Sequence, residues 1–316
     1  MTGVLGGVIG SATKAAVAKA GYFAGGNDST DTYLSGIDKI LFSADTKSTL
    51  AATLTSINAG PYGAANSGTA GYYAGGYDQT NTLTRIDKIL FTTDAKSTLS
   101  ATIAASWAGA GMANSGTAGY FGGGFDSAFS ILSSIKKLLF STEATSTLSA
   151  TLSTSTFQLG AAANSGTAGY FAGGSNGSFA KISTITKLLF STEATSTLSA
   201  TLSASRTGPT GASNSGTAAY FAGGAQASAV STIQKLTFST DGVSTLSATL
   251  GTAVNVPAGA SNSGTAAYFS GGLPAAPPPI SAIDKLTFSA DTRATLSATL
   301  TSGRRIHVGV ANSGTL

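Results

Sequence analysis

Residues Asn164–Gly174 read NSGTAGYFAGG, and near-copies of this stretch recur along the chain. N-S-G-T is tight-turn chemistry, with a glycine free to take positive φ. TAGYFA is a short run of small and aromatic residues, which suits a strand buried on both faces. The run then ends on a glycine pair. The second glycine of that pair falls at Gly26, Gly76, Gly124, Gly174, Gly224 and Gly272, giving spacings of 50, 48, 50, 50 and 48 residues.

Each copy holds four strand-like pieces in one order. In the fourth copy they are LGAAANSG, TAGYFAGG, ISTITKLLFSTE and STLSATLS. ITKLLF reads as a second buried strand. STLSATL alternates leucine with Ser and Thr, as the outer strand of a sheet would. N-S-G-T links the first piece to the second, and S-T-E-A-T-S-T links the third to the fourth, with an acid placed to cap its own turn. Helical periodicity is absent outside residues 8–20.

Four antiparallel strands at a fixed period, six times over, predict an all-β, six-bladed β-propeller over residues 20–316, with residues 1–19 as an N-terminal appendage. Stacked blades bury both faces of each sheet, and the glycine pairs are expected to permit close approach near the axis. A solenoid of stacked β-coils is the alternative, and would need shorter repeats. Closure of a ring is also legible. The first copy lacks its N-S-G-T hairpin, because AAVAKA precedes GYFAGG there, and the missing piece sits in HVGVANSGTL at the other end. A strand at about 306–316 is therefore expected to complete the first blade beside residues 20–26.

The YFAGG strand, followed by a strand ending on an aromatic (Phe42, Phe91, Phe140, Phe190, Phe238, Phe288), resembles the kelch repeat over residues 21–316. The resemblance implies a propeller. The chain departs from the kelch pattern in its fourth strand, where STLSATL carries no tryptophan. The wording GYFAGG, KLLFSTE and TLSATL is also similar to repeats of phage virion proteins, notably of cyanophages, and of marine metagenomic proteins. That likeness implies a structural role in a virion.

Composition narrows the function classes. Hydrophobic residues make up 42% of the 316-residue chain, enough to build a core, and charged residues only 9%, far below the usual ~25%. The neutral, hydroxyl-rich surface this implies is common on extracellular and virion proteins. The net charge is +4, and no Lys/Arg run exceeds Lys136–Lys137 or Arg304–Arg305, so no nucleic-acid footprint is expected. There is no cysteine and one histidine, His307, which excludes disulfides, thiolate metal sites and a multi-histidine metal site. No cofactor is expected. No apolar run approaches the ~18 residues of a membrane span. In MTGVLGGVIGSATKAAVAKA, Lys14 and Lys19 follow the apolar part, the wrong order for a secretory signal.

In such a propeller the 1–2 and 3–4 turns share one face, and the 2–3 and 4–1 loops share the other. The first two turns hardly change between copies; the other two loops differ in every copy. Binding is carried by loops on a rigid frame, so the variable face is the candidate surface. Its loops hold Tyr33, Tyr62, Tyr77, Trp107, Phe125, Phe157, Arg206, Arg304, Arg305 and His307. Of these, Trp107, Tyr62, Tyr77, Arg206, Arg304, Arg305 and His307 are the ligand-binding candidates, aromatic and arginine side chains being suited to sugar stacking or a protein partner. The alternative is that they pack loops onto neighbouring blades.

Two charge sets recur once per copy. Lys39, Lys88, Lys137, Lys187, Lys235 and Lys285 open the third strand and form a candidate basic ring near the variable face. Asp45, Asp94, Glu143, Glu193, Asp241 and Asp291 sit at the 3–4 turn on the uniform face. The length of the third strand keeps the two from pairing within a blade. Alternatively each lysine lies along its blade and each acid caps its turn. The loop acids Asp28, Asp31, Asp78 and Asp126 leave a Ca²⁺ site open. Catalysis has little support: a Ser-His-Asp set around His307 would have to be assembled across blades. The reading is a non-enzymatic structural or adhesive propeller of a virion or extracellular assembly. It would sit in an oligomer and bind other assembly proteins or host-surface glycans through its variable face. The alternatives are a stand-alone secreted carbohydrate-binding lectin and, less favoured, a cytosolic kelch-type adaptor.

Overall fold

The computed structural model describes residues 18–313. The expected N-terminal appendage lies outside the described residues except for Ala18 and Lys19, as do the last three residues of the closing segment. The described chain forms six four-stranded antiparallel sheets arranged in a ring, a six-bladed β-propeller. The fourth blade is typical: Gly160–Asn164, Ala168–Ala172, Ile185–Leu189 and Thr195–Thr197, each strand paired with the next. The ring closes as the repeat offset requires. Val308–Ala311 pairs with Ala20–Ala24 in the register Gly21↔Ala311 to Ala24↔Val308, and Ile37–Leu41 and Thr46–Thr49 complete that blade.

Burial follows the strand readings. The second strand is buried along its whole length in every blade, as in Ala168–Ala172, whereas the outer Thr195–Thr197 is largely exposed. The aromatic that ends the third strand stacks on the second-strand tyrosine of the preceding blade. Examples are Tyr22 on Phe91 at 5.1 Å, Tyr170 on Phe238 at 5.4 Å and Tyr268 on Phe42 at 4.6 Å between ring centroids. Such stacks add to the area they bury. The residue type that marked the repeat in sequence is thus the contact that joins one blade to the next.

Close approach at the axis belongs to other glycines than the pair. A Cβ on Gly211 would lie 1.9 Å from the carbonyl oxygen of Ala161, and one on Gly111 would lie 2.1 Å from that of Gly63. These residues are on the innermost strands. The glycine pairs instead form a bend with φ of 68° and 92° at Gly25 and Gly26, and the second N–H donates to the loop entering the next blade, as from Gly26 to Asn58 O at 2.8 Å. Only glycine adopts two such angles in succession without strain.

Candidate functional site

The uniform face uses its charges to join blades. Each ring lysine lies mid-strand, not at the variable face, and reaches the 3–4 turn acid of the following blade. Lys39–Asp94 is 2.7 Å, Lys187–Asp241 2.6 Å and Lys235–Asp291 2.7 Å; Lys285–Asp45, at 2.7 Å, crosses the closure. Lys88–Glu143 and Lys137–Glu193 complete the series. The basic ring expected near the variable face and the turn acids of the uniform face are therefore one circle of inter-blade ion pairs, and the lysines face carboxylates. The same acids accept a tyrosine hydroxyl, as from Tyr22 to Asp94 at 2.8 Å, and burial followed by the carboxylate pushes that phenol well up. Lys39 also lies 5.3 Å over the Tyr22 ring, a cation–π contact. The N-S-G-T turn stays constant for a related reason. Asn114 Oδ1 accepts from Gly166 N at 2.8 Å and Asn164 Oδ1 from Gly216 N at 2.9 Å, each across a blade boundary.

The variable face has a frame of its own. Residues from the 4–1 loop, from just after the glycine pair and from the 2–3 loop pair as small ladders, such as Ala59↔Tyr77↔Thr82 and Trp107↔Phe125↔Ile131. Inside them a closed circle of backbone hydrogen bonds surrounds the axis. Gly60 N donates to Ile306 O, Ala108 to Gly60, Gln158 to Ala108, Gly208 to Gln158, Val256 to Gly208 and Ile306 to Val256, at 2.7–3.2 Å. All six residues have positive φ, including β-branched Val256 at 47° and Ile306 at 54°. The circle adjoins an axial cavity of about 90 Å³ lined by the innermost strands. Five residue types occupy the six equivalent places here, so no sequence pattern announced it.

The seven candidate side chains separate into two groups. Tyr62, Arg206, Arg304 and His307 are buried, at 0%, 0%, 3% and 6% exposure, so the expectation that they present themselves at the surface is corrected. The first three satisfy the backbone at the bends. Tyr62 donates to Gly123 O at 2.7 Å, Arg206 to Gly223 O at 3.2 Å and Arg304 to Gly25 O at 3.4 Å. A carbonyl left bare by a glycine bend between blades needs such a donor. Arg304 also pairs with buried Asp38 at 3.0 Å. Burial pushes the Asp38 carboxyl up, but hydrogen bonds from Thr301 and the Arg304 charge bring it below its usual range.

Trp107, Tyr77 and Arg305 are partly exposed. Tyr77 stacks on Trp107 at 5.3 Å, Trp107 on Phe125 at 5.3 Å, and Phe125 meets Phe157 at 4.4 Å. Tyr33 extends the row at one end, 6.1 Å from Tyr77, and Phe179 at the other, 5.7 Å from Phe157. An aromatic arc thus runs over the loops of blades one to four; the corresponding loops of blades five and six, AQASAVS and LPAAPPPIS, have no aromatic. Two members went unremarked in the sequence. Phe129 and Phe179 are 56% and 68% exposed, with φ of 60° and 59°. Bulky side chains are rare in that conformation. The signal was available as the fifth residue after each glycine pair, in FDSAF and SNGSF, but nothing in sequence says that this residue turns left-handed.

The loop acids act mainly on their own turns. Asp28 Oδ1 accepts from Thr30 N at 2.8 Å and Thr32 N at 3.0 Å, and the Thr30 and Thr32 hydrogen bonds hold its carboxyl below the usual range. Asp78 and Asp126 cap their loops in the same way. Among the described residues no group of three potential metal ligands converges. His307 Nε2 is 2.9 Å from Ser270 Oγ, a pair assembled across blades. However, Ser270 is buried and His307 Nδ1 has no partner among the described residues, so the pair has neither access nor an orienting acid. Burial, then the Arg304 charge, pushes the imidazole well below its usual value, against the opposing pull of Asp38. Lys136, buried over the Tyr62 ring, is lowered by desolvation to about 8. No helix among the described residues is long and apolar enough to cross a membrane. No protein-family profile matches the chain, and no curated protein matches it in sequence.

Proposed function

We propose that the chain is a non-enzymatic structural or adhesive propeller of a virion or extracellular assembly, engaging its partners through the face that carries the aromatic arc. The observation behind this reading is the pair Phe129 and Phe179: two exposed phenylalanines held at left-handed loop tips on adjacent blades. Exposure and strain both disfavour phenylalanine there in a free molecule, and contact with a partner offsets both. The kelch-like and phage-like wording of the repeats and the 9% charge content support the assembly setting. Propellers are commonly non-catalytic, and the buried Ser270–His307 pair favours no enzyme.

A partner surface is favoured over a sugar. Tyr77, Trp107 and Phe125 stack face to face with interplanar angles of 27° and 30°, so much of their flat area lies against one another. Carbohydrate binding through stacking uses free faces. The mass of the untagged protein from its native source tests the reading: a regular multi-copy assembly is expected, and a free particle near 30.9 kDa overturns it.

A further inference from the structure

We propose that the aromatic arc receives residues 1–17 of a second copy of this chain, joining copies head to tail. This rests on the assembly reading above and names its contact.

Charge is the first argument. The six turn acids are paired in the inter-blade circle. Asp38, Asp87 and Asp284 are each within 4 Å of a lysine or arginine at a blade junction. Of the arc's flanking acids, Asp31 pairs with Arg305 at 2.7 Å. Asp28 and Asp78 have no cation partner among the described residues, and Asp126 forms no ion pair there, acting only through space on buried Lys136. The arc is therefore an apolar strip whose margin is acidic over blades one to three, with exposed Lys181 at the blade-four end, on a chain whose net charge is +4. An anionic glycan or membrane does not match it; an apolar segment carrying lysine does.

Such a segment is in the sequence. Residues 1–17, MTGVLGGVIGSATKAAV, combine Val4, Leu5, Val8 and Ile9 with Lys14 and no acid, and Lys19 follows. The segment joins the propeller at the wrong end to meet its own arc directly. Ala18 O accepts from Asn312 Nδ2, Lys19 O accepts from Phe42 N at 3.0 Å, and Ala20 pairs with Leu41 beside the 3–4 turn, all on the uniform face. Seventeen residues can reach up to about 60 Å when extended. A second copy stacked on the uniform face presents its arc to this segment. The contact is heterologous, so it propagates into a ring or a filament instead of stopping at a dimer.

The test uses full-length chains and mass photometry with a dilution series. Wild-type protein is expected to form multimers that dissociate on dilution and weaken with salt. Phe129→Ser with Phe179→Ser removes the arc's two exposed phenylalanines, and Val8→Asp with Ile9→Asp charges the apolar part of the segment; each double variant is expected to remain near 30.9 kDa. Mixed one to one, the two variants are expected to pair, since each supplies the half the other lacks. The emission of Trp107, the only tryptophan, reports arc occupancy and should shift to the blue in that mixture. Wild-type protein that stays monomeric, multimers that survive in either variant, or a mixture that does not pair would each overturn the proposal. A native assembly that keeps its form in the arc variant sinks this contact alone; a native protein with no assembly sinks the assembly reading with it.

Discussion

Both faces of the propeller hold non-glycine residues in the left-handed conformation, and they use them differently. On the uniform face Asp45, Asp94, Glu143, Glu193, Asp241 and Asp291 have φ of 49–57°, and every one of their carboxylates grips the preceding blade. On the variable face the loop tips Asp31, Gln79, Phe129 and Phe179 have φ of 57–77°. There the two phenylalanines end in solvent. Strain on the first face is repaid by ion pairs within the molecule. On the second face Asp31 pairs with Arg305 at 2.7 Å, whereas Phe129 and Phe179 have only edge contacts with neighbouring rings. A repeat protein can thus keep one face constant because each turn has a structural duty to its neighbour, and let the other vary because its innermost circle is made by backbone groups.

The largest effect is expected where a charge pair joins blades in the interior. Arg304→Met takes from buried Asp38 its closest cation, leaving Lys47 at 3.4 Å, and should lower unfolding free energy by about 3 kcal/mol in denaturant titrations. Arg206, equally buried, has no acid partner, and its Nε and Nη2 bond to nothing among the described residues. Arg206→Met loses hydrogen bonds to Gly223 O and Thr232 but no ion pair, and should cost less, about 1 kcal/mol. Equal losses from the two variants would show that charge pairing is not what distinguishes these junctions.

Acid should next weaken the seam beside His307. Its folded-state pKa is depressed, so the unfolded chain takes up a proton near pH 6.5 that the folded chain refuses. Stability is full above that pH and falls as pH drops toward 4.5, by up to about 1.4 kcal/mol per pH unit. The carboxylates Asp38 and Asp87, with lowered pKa values, act only at lower pH. In His307→Gln the slope between pH 6.5 and 4.5 should vanish; an unchanged slope would place the titrating group elsewhere.

Smaller effects separate the two faces most cleanly. Asp94→Asn keeps a residue type that tolerates the turn but weakens the grip on Lys39 and Tyr22, a partly exposed pair worth about 1 kcal/mol. It should lower thermal stability and leave self-association intact. Phe129→Asn should do the reverse, raising stability by up to about 1 kcal/mol through relief of the left-handed residue while weakening association. If Phe129→Asn destabilises the fold, the arc is part of the frame and the contrast between the faces fails.

Much of the architecture could be read from residue types. The glycine pair, the N-S-G-T turn and the aromatic closing the third strand each had a physical reason to recur, and their offset at the two ends foretold closure by Val308–Ala311. The candidate site was legible only in part. Trp107, Tyr77 and Arg305 are partly exposed on the loops, whereas Tyr62, Arg206 and Arg304 turn inward to satisfy backbone at the bends and His307 turns inward to Ser270. Polar and aromatic residues in a variable loop read alike whether they face solvent or a bare carbonyl. The lysines and turn acids were recognised as rings but not as partners, because strand length within a blade says nothing about reach between blades.

Periodicity by itself determined the number of blades, the strand order and the seam, because a repeat that cannot bury both its faces alone must stack on copies of itself. Only the tertiary structure decided which charges meet, which loop side chains are buried, and that six residues of five types close a hydrogen-bonded circle about the axis. Those outcomes depend on distances between blades and on backbone angles at single positions, and residue identity encodes neither locally.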